Sequence, residues 1–239
     1  MTNIDITFNT FSDTPAGKDP DSFSPTLRRY HQKLWSKPLP GGTVFELDLD
    51  TPKLLHHRSG LGEFFLSSDA IGHSYKNVKK MSPIIGQLPA SEVDAFFDIC
   101  STIGGYIVFP SKRIDGKMTI NGSRGVHHNI QDRFDLTLEC IRRFYAKQQS
   151  PLSATFERYA RFFDLFEDFP GYVEFFLLED LVLDDFQQIN FWHPFRSFEE
   201  TPLPQNLPEY LAYKSKVVEF ITNRNDRILR YSNETTPRS

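Results

Sequence analysis

The chain holds only two cysteines in 239 residues, Cys100 and Cys140. That excludes a disulfide scaffold, and no CxxC or zinc-ligand spacing is present. Both fall on the apolar side of predicted helices, as small buried hydrophobes do. No apolar run reaches transmembrane length, so no membrane partner is expected. The opening MTNIDITFNTFSD lacks the basic and apolar regions of a secretory signal, which makes the cytoplasm the expected location. Neither sign of charge dominates: 27 Lys and Arg stand against 31 Asp and Glu. Nothing global therefore calls for a polyanionic partner. The Walker, GxGxxG and GxSxG motifs are missing, and the acidic residues match no EF-hand loop. No cofactor and no metal are expected. There is no internal repeat.

What is abundant is phenylalanine, with 23 residues. Most sit in periodic segments and read as core. The length suits one globular domain over 1–232, with a flexible tail at 233–239. The fold class expected is α+β: a small, mostly antiparallel sheet covered by several amphipathic helices, with a mainly helical C-terminal half. Ile4–Phe8 alternates as an edge strand, and SDTPAGKDPDSFS follows as a loop. Ser24-Pro25 opens a helix, Ser as cap and Pro at the first helical position. Alternation over Val44–Leu49, Lys53–His57 and Glu63–Ser67 predicts strands. Ser91 is the cap candidate of a helix with Val93, Phe96, Phe97 and Cys100 on one stripe, stopped by Gly104-Gly105. Ser150-Pro151 predicts another helix start. Tyr172–Val182 reads as a buried helix in preference to a strand. Ile189–Trp192 reads as a strand. A last helix spans Glu209 to about Leu229.

The centre of the chain is Gly104 to Tyr145. Tyr106–Phe109 is apolar, β-branched and aromatic, the best interior strand. Asp115-Gly116 is a hairpin signal, so Lys117–Asn121 is expected to return antiparallel. A Gly/Arg loop then leads to a helix running from about 129–132 to Ala146. At about 100° per residue, Phe134, Leu138, Ile141 and Tyr145 share a stripe. Asp132, Asp135, Glu139, Arg142 and Arg143 fall on the opposite, solvated arc. Arg133 does not: it lies between Cys140 and Phe144 on the apolar arc. A guanidinium there needs partners, because an unpaired buried charge is very costly.

The strings IDGKMTINGSRG, DRFDLTLECIRRFY and GYVEFFLLEDLV resemble those of an uncharacterised bacterial family, a domain of unknown function. The likeness covers most of the chain. It implies a bacterial, cytoplasmic, single-domain protein, and it implies no reaction.

One local site is legible. Gly122 and Gly125 let the backbone approach a ligand, and a helix start near residue 130 favours negative charge. Lys117, Arg124, His127 and Arg133 would add positive charge for a phosphate-bearing ligand such as a nucleotide or nucleic acid. Binding, with or without catalysis, is the leading expectation. The competing one is that the glycines merely turn the chain and Arg133 pairs with a buried carboxylate. His127 and His128 are the candidates for acid–base work. The alternative function is protein–protein interaction or regulation through the acidic face of 162–186.

Overall fold

The structure is a computed structural model that describes residues 4–234. The expected tail at 235–239 lies outside the described residues, and residues 233–234 belong to the last helix. Asp19 and Pro20 start a short helix, α1 (Pro20–Phe23), with the Asp19 carboxylate accepting from the Asp21 N–H. Ser24 ends it and caps α2 (Pro25–Trp35) by accepting from the Leu27 N–H, as the Ser-Pro pair predicts. Strands β1 (Leu55–Ser59) and β2 (Gly62–Ala70) form a hairpin. After α3 (Ser82–Ile85) and α4 (Ala90–Cys100), β3 (Tyr106–Pro110) pairs antiparallel with β2 from Leu66↔Pro110 to Ala70↔Tyr106. The sheet order is β1-β2-β3.

From there the chain is almost entirely helical: α5 (Ile120–Val126), α6 (Phe134–Tyr145), α7 (Ser153–Arg158), α8 (Ala160–Phe163) and α9 (Phe169–Phe175). Two-residue strands β4 (Val182–Leu183) and β5 (Gln188–Ile189) make a small ladder. The chain closes with α10 (Leu207–Glu234). The α+β class with a helical second half is as the sequence predicts.

Several local expectations fail for physical reasons. Lys117–Asn121 is not a return strand. Thr119 caps α5 through the Gly122 N–H, so the glycines of the supposed loop lie inside a helix. The partner of β3 is β2, some forty residues upstream. Val44–Leu49 does alternate, with Phe45 and Leu47 buried, but it makes only isolated bridges, Pro38↔Val44 and Asp48↔His56. Ile4–Phe8 pairs with no strand, and Trp192 lies beyond β5. Ser91 lies inside α4, which starts after Pro89, and α4 ends at Cys100 before a separate turn at Ile103–Gly105. Ser150 precedes its helix; α7 begins at Ser153. The predicted helix at Tyr172–Val182 starts earlier and stops at Phe175.

The core is aromatic. Trp35 meets Phe175 and Phe176, and Phe166 packs on Tyr172, Phe175 and Phe176 at ring-centroid distances of 5.0–5.3 Å. Offset and edge contacts of this kind add to the area term. The long α10 is fastened to the sheet by Arg224, which is fully buried. Its guanidinium donates to the carbonyls of Gly104, Tyr106 and Phe176 at 2.7–2.9 Å. Burial pulls its pKa down to about 9. Beside it, Asn225 accepts from the Gly104 N–H and donates to Thr102 Oγ1. Gly104 and Gly105 are therefore close-approach residues. A Cβ on Gly105 would stand 2.1 Å from the Cys100 carbonyl oxygen.

Candidate functional site

A cleft of about 480 Å3 opens where α1, the end of β2, the segment after it and α4 meet. Its carboxylates are Asp19, Asp21, Asp69 and Asp132, and His73 lines it as well. They are delivered by separate parts of the fold, Asp19 and Asp21 together by the start of α1. The Asp19 cap and Pro20 turn α1 so that Asp21 points inward. Asp69 stands next to the end of the β2–β3 ladder, opposite Ile107. The segment after β2 is held by α10: Tyr213 Oη donates to the His73 carbonyl at 2.9 Å and Tyr210 Oη to the Ser74 carbonyl at 2.7 Å. Tyr75 Oη donates to the Gln131 carbonyl at 3.0 Å, which ties that segment to the loop before α6. Tyr75, Gln131 and Asp132 all have positive φ, at 57°, 45° and 60°. Non-glycine residues in that region cost about 1–2 kcal/mol each, and such strain gathers at functional sites.

Behind the cleft's Asp69 and Asp132 lies Arg124, which has no exposed surface and is not itself part of the lining. Nη1 donates to Asp69 Oδ2 at 2.6 Å and to the Ala70 carbonyl at 3.0 Å. Nη2 donates to the Asp132 carbonyl at 2.9 Å, and Nε to Thr137 Oγ1 at 3.1 Å. Burial opposes the charge on Arg124, but Asp69 and Asp132 outweigh it. The same burial raises the Asp69 carboxyl; Arg124 offsets part of that rise, and Asp132 adds to it. Asp21 has no such partner. Burial lifts its pKa well above the ordinary carboxyl value, the charges of Asp69 and Asp19 lift it further, and the Ser68 hydroxyl and Arg124 offset only part. Asp21 Oδ1 is buried without a hydrogen-bond partner among the described residues. An ionised oxygen so placed is costly, which favours the neutral acid at Asp21. Burial also lowers His73, with Asp132 opposing the shift and Arg124 adding to it.

Ser68 and His31 stand behind this group and resemble a nucleophile–base pair. The geometry excludes that role. Trp35 Nε1–H donates to His31 Nδ1 at 3.0 Å, so the proton of neutral His31 is on Nε2. Nε2 therefore donates to Ser68 Oγ, 3.0 Å away, and cannot take its proton. Burial holds His31 at about 3, with Arg224 adding to the shift.

The four ligand residues read from the sequence do not converge. Arg124 is buried behind the cleft lining, with its bonds turned to protein acceptors. Arg133 is buried and clasps Asp135, with Nε 3.1 Å from Oδ1; it also donates to the carbonyls of Pro202 and His193. Lys117 is exposed ahead of α5. His127 and His128 stack on each other at 5.0 Å, away from the cleft lining. Burial and then His128 lower the pKa of His127. The phosphate cradle expected at the Gly/Arg loop is thus not assembled there, because that loop is helical and both guanidiniums face inward. The expectation that Arg133 pairs with a buried carboxylate is met. Its partner Asp135, placed on the solvated arc by periodicity, is fully buried and also accepts from the Trp192 N–H. Glu139 is buried too, clasped by Arg142 and Arg143.

The acidic stretch 162–186 is divided. Glu179 and Asp180 pair with Arg227, and Asp168 caps α9. Asp164, Glu167, Glu174, Asp184 and Asp185 are exposed. His56 bridges Asp48 and Glu63 at 3.2 and 3.0 Å. Among the described residues no helix is long and apolar enough to cross a membrane. Sequence reading missed Asp19, Asp21, Asp69, His73 and Asp132. The one local signal was Asp19-Pro20, a cap followed by a first-turn proline, which reads equally well as a loop.

Residues 4–228 match the model of a family described as a family of unknown function, DUF6994, and the chain belongs to that family. No curated protein and no solved structure matches it significantly.

Proposed function

We propose that the carboxylate-lined cleft binds a small ligand that donates hydrogen bonds, an amine or a polyol, and that Asp21 is its proton donor. The observation that carries this reading is the buried Asp21 Oδ1 with no partner, beside Asp69 and Asp19. Paired carboxyls with separated pKa values are the usual basis of acid–base chemistry near neutral pH. Asp69 is the complementary group: Arg124 offsets part of the rise that burial imposes on its carboxyl, and its oxygens can accept a ligand N–H or O–H. Asp132, at 3.7 Å from Arg124 Nη1, supplies a second acceptor that reaches solvent.

The cations on the rim favour the same ligand class. Lys76 lies over the Phe97 ring at 3.4 Å and pairs with Asp94, and Lys18 lies over Phe23. Both ammonium groups are thus occupied outside the carboxylates. Four carboxyl groups, Asp19, Asp21, Asp69 and Asp132, line the cleft against Lys18 and Lys76, and a phosphate is disfavoured there. A ligand screen by thermal shift tests the reading. Diamines, aminosugars and polyols should raise the melting temperature of the wild type by mass action. The rise should vanish in Asp69→Asn and shrink in Asp21→Asn. A panel without effect, or an equal effect in both variants, removes the proposal.

A further inference from the structure

A second pocket, about 400 Å3, lies at the other end of β2, bounded by the residues after β3 and by α7 and α8. Its chemistry is opposite to that of the acidic cleft. The floor is aromatic: Phe65, Tyr159 and Phe162. The rim carries Lys112, Arg113, Arg158 and Arg161. Among the described residues the one acid lining it is Glu63, whose Oε1 is already bound by His56 Nε2 at 3.0 Å.

The cations are incompletely satisfied. Arg158 donates through Nη1 to the Ala154 carbonyl and through Nη2 to the Met118 carbonyl and Thr155 Oγ1, but its Nε is buried with no partner among the described residues. Arg161 makes one hydrogen bond, to the Leu61 carbonyl at 3.2 Å. Lys112 Nζ lies 5.2 Å from the centre of the Phe65 ring, and Arg113 is exposed at the mouth. Tyr159 Oη donates to the Lys112 carbonyl at 2.9 Å and so fixes the rim to the floor.

We propose that this pocket binds a planar aromatic group bearing a phosphate, a mononucleotide in the simplest case. The ring stacks on the aromatic floor, and the phosphate takes the guanidinium forks of Arg158 and Arg161. Guanidinium groups match phosphate oxygens in geometry as well as charge. Stacking on aromatic side chains tolerates any base, so the site discriminates for the phosphate more than for the ring. A rim of four cations with one occupied acid suits a dianion better than a carboxylate. A phosphate ligand, expected from the sequence at the Gly/Arg loop, thus has a better place some distance along the chain. This inference is independent of the acidic cleft, since the two sites share no lining residue.

Titration calorimetry with AMP, GMP, CMP and UMP at low salt tests it, with adenosine and inorganic phosphate as half-ligands. At least one mononucleotide should bind saturably, with both half-ligands at least tenfold weaker. Arg113→Glu with Arg161→Glu, two exposed positions, should weaken it at least tenfold while the far-ultraviolet spectrum is unchanged. Arg158→Lys should weaken it too, and Asp69→Asn should leave it intact. Three results overturn the proposal: no saturable mononucleotide binding, binding unchanged by the double charge reversal, or binding lost in Asp69→Asn. Binding of an oligonucleotide without any mononucleotide binding also overturns it, and points to a nucleic-acid surface instead.

Discussion

Replacing Asp21 by Asn should stabilise the protein at neutral pH and not at acid pH. The neutral amide keeps the shape and removes a titrating carboxyl whose Oδ1 is buried without a hydrogen-bond partner among the described residues. The sign follows from linkage. The folded-state pKa is raised, so between the ordinary value of 3.8 and the raised one the folded chain binds more protons than the unfolded. Wild-type stability therefore falls as pH rises through that window and levels off above it. Each unit by which the pKa is raised is worth about 1.4 kcal/mol. In a domain of this size, about 1 kcal/mol moves the melting temperature by roughly 2–4 °C. Melting curves of wild type and variant from pH 4 to pH 8 measure the difference directly. It should be small near pH 4, grow with pH and favour Asn at pH 7. A difference that does not change with pH, or an Asn variant less stable at pH 7 than at pH 4 relative to wild type, refutes the reasoning.

Other perturbations have equally definite outcomes. Arg124→Met strands Asp69 in the cleft floor and should cost about 3–5 kcal/mol, read by chemical denaturation, with partial recovery on adding Asp69→Asn. Gly105→Ala puts a Cβ 2.1 Å from the Cys100 carbonyl oxygen. It should destabilise by about 1–3 kcal/mol, since neither that carbonyl nor the turn can yield cheaply. Burial pushes the thiol of Cys140 up to about 12 and that of Cys100 up further. Thiol reagents should therefore label neither at pH 8 until denaturant is added, and mass spectrometry counts the adducts.

The sequence was most informative where one element decides its own fate. The Ser24-Pro25 cap, the apolar stripe of α6 and the anomaly at Arg133 each belong to one helix or its cap, and the structure bears them out. The Asp115-Gly116 turn is also real, with φ of 51° and 69°. What failed was its consequence. A hairpin signal says that the chain reverses, not that a strand follows, and Thr119 capped a helix instead. Asp135 and Glu139 show the limit of the helical wheel. Periodicity sorts residues by hydrophobicity, and it cannot see that Arg133, Arg142 and Arg143 will take those carboxylates inside. The acidic cleft was illegible for a further reason. Asp21, Asp69 and Asp132 come from three segments far apart in the chain, joined only when α1 packs on β2 and Arg124 draws the third carboxylate in. No local pattern encodes that meeting.

The protonation of Asp21 is the most direct test. Carbon-13 chemical shifts of the aspartate carboxyls, with the Asp21 signal assigned by its loss in Asp21→Asn, give its titration in the folded protein. It should titrate well above the ordinary value of 3.8, and Asp69→Asn should bring it partway down by removing the neighbouring charge. An Asp21 carboxyl that titrates at or below 3.8 would contradict both its neutrality at the base of the cleft and its role as a proton donor.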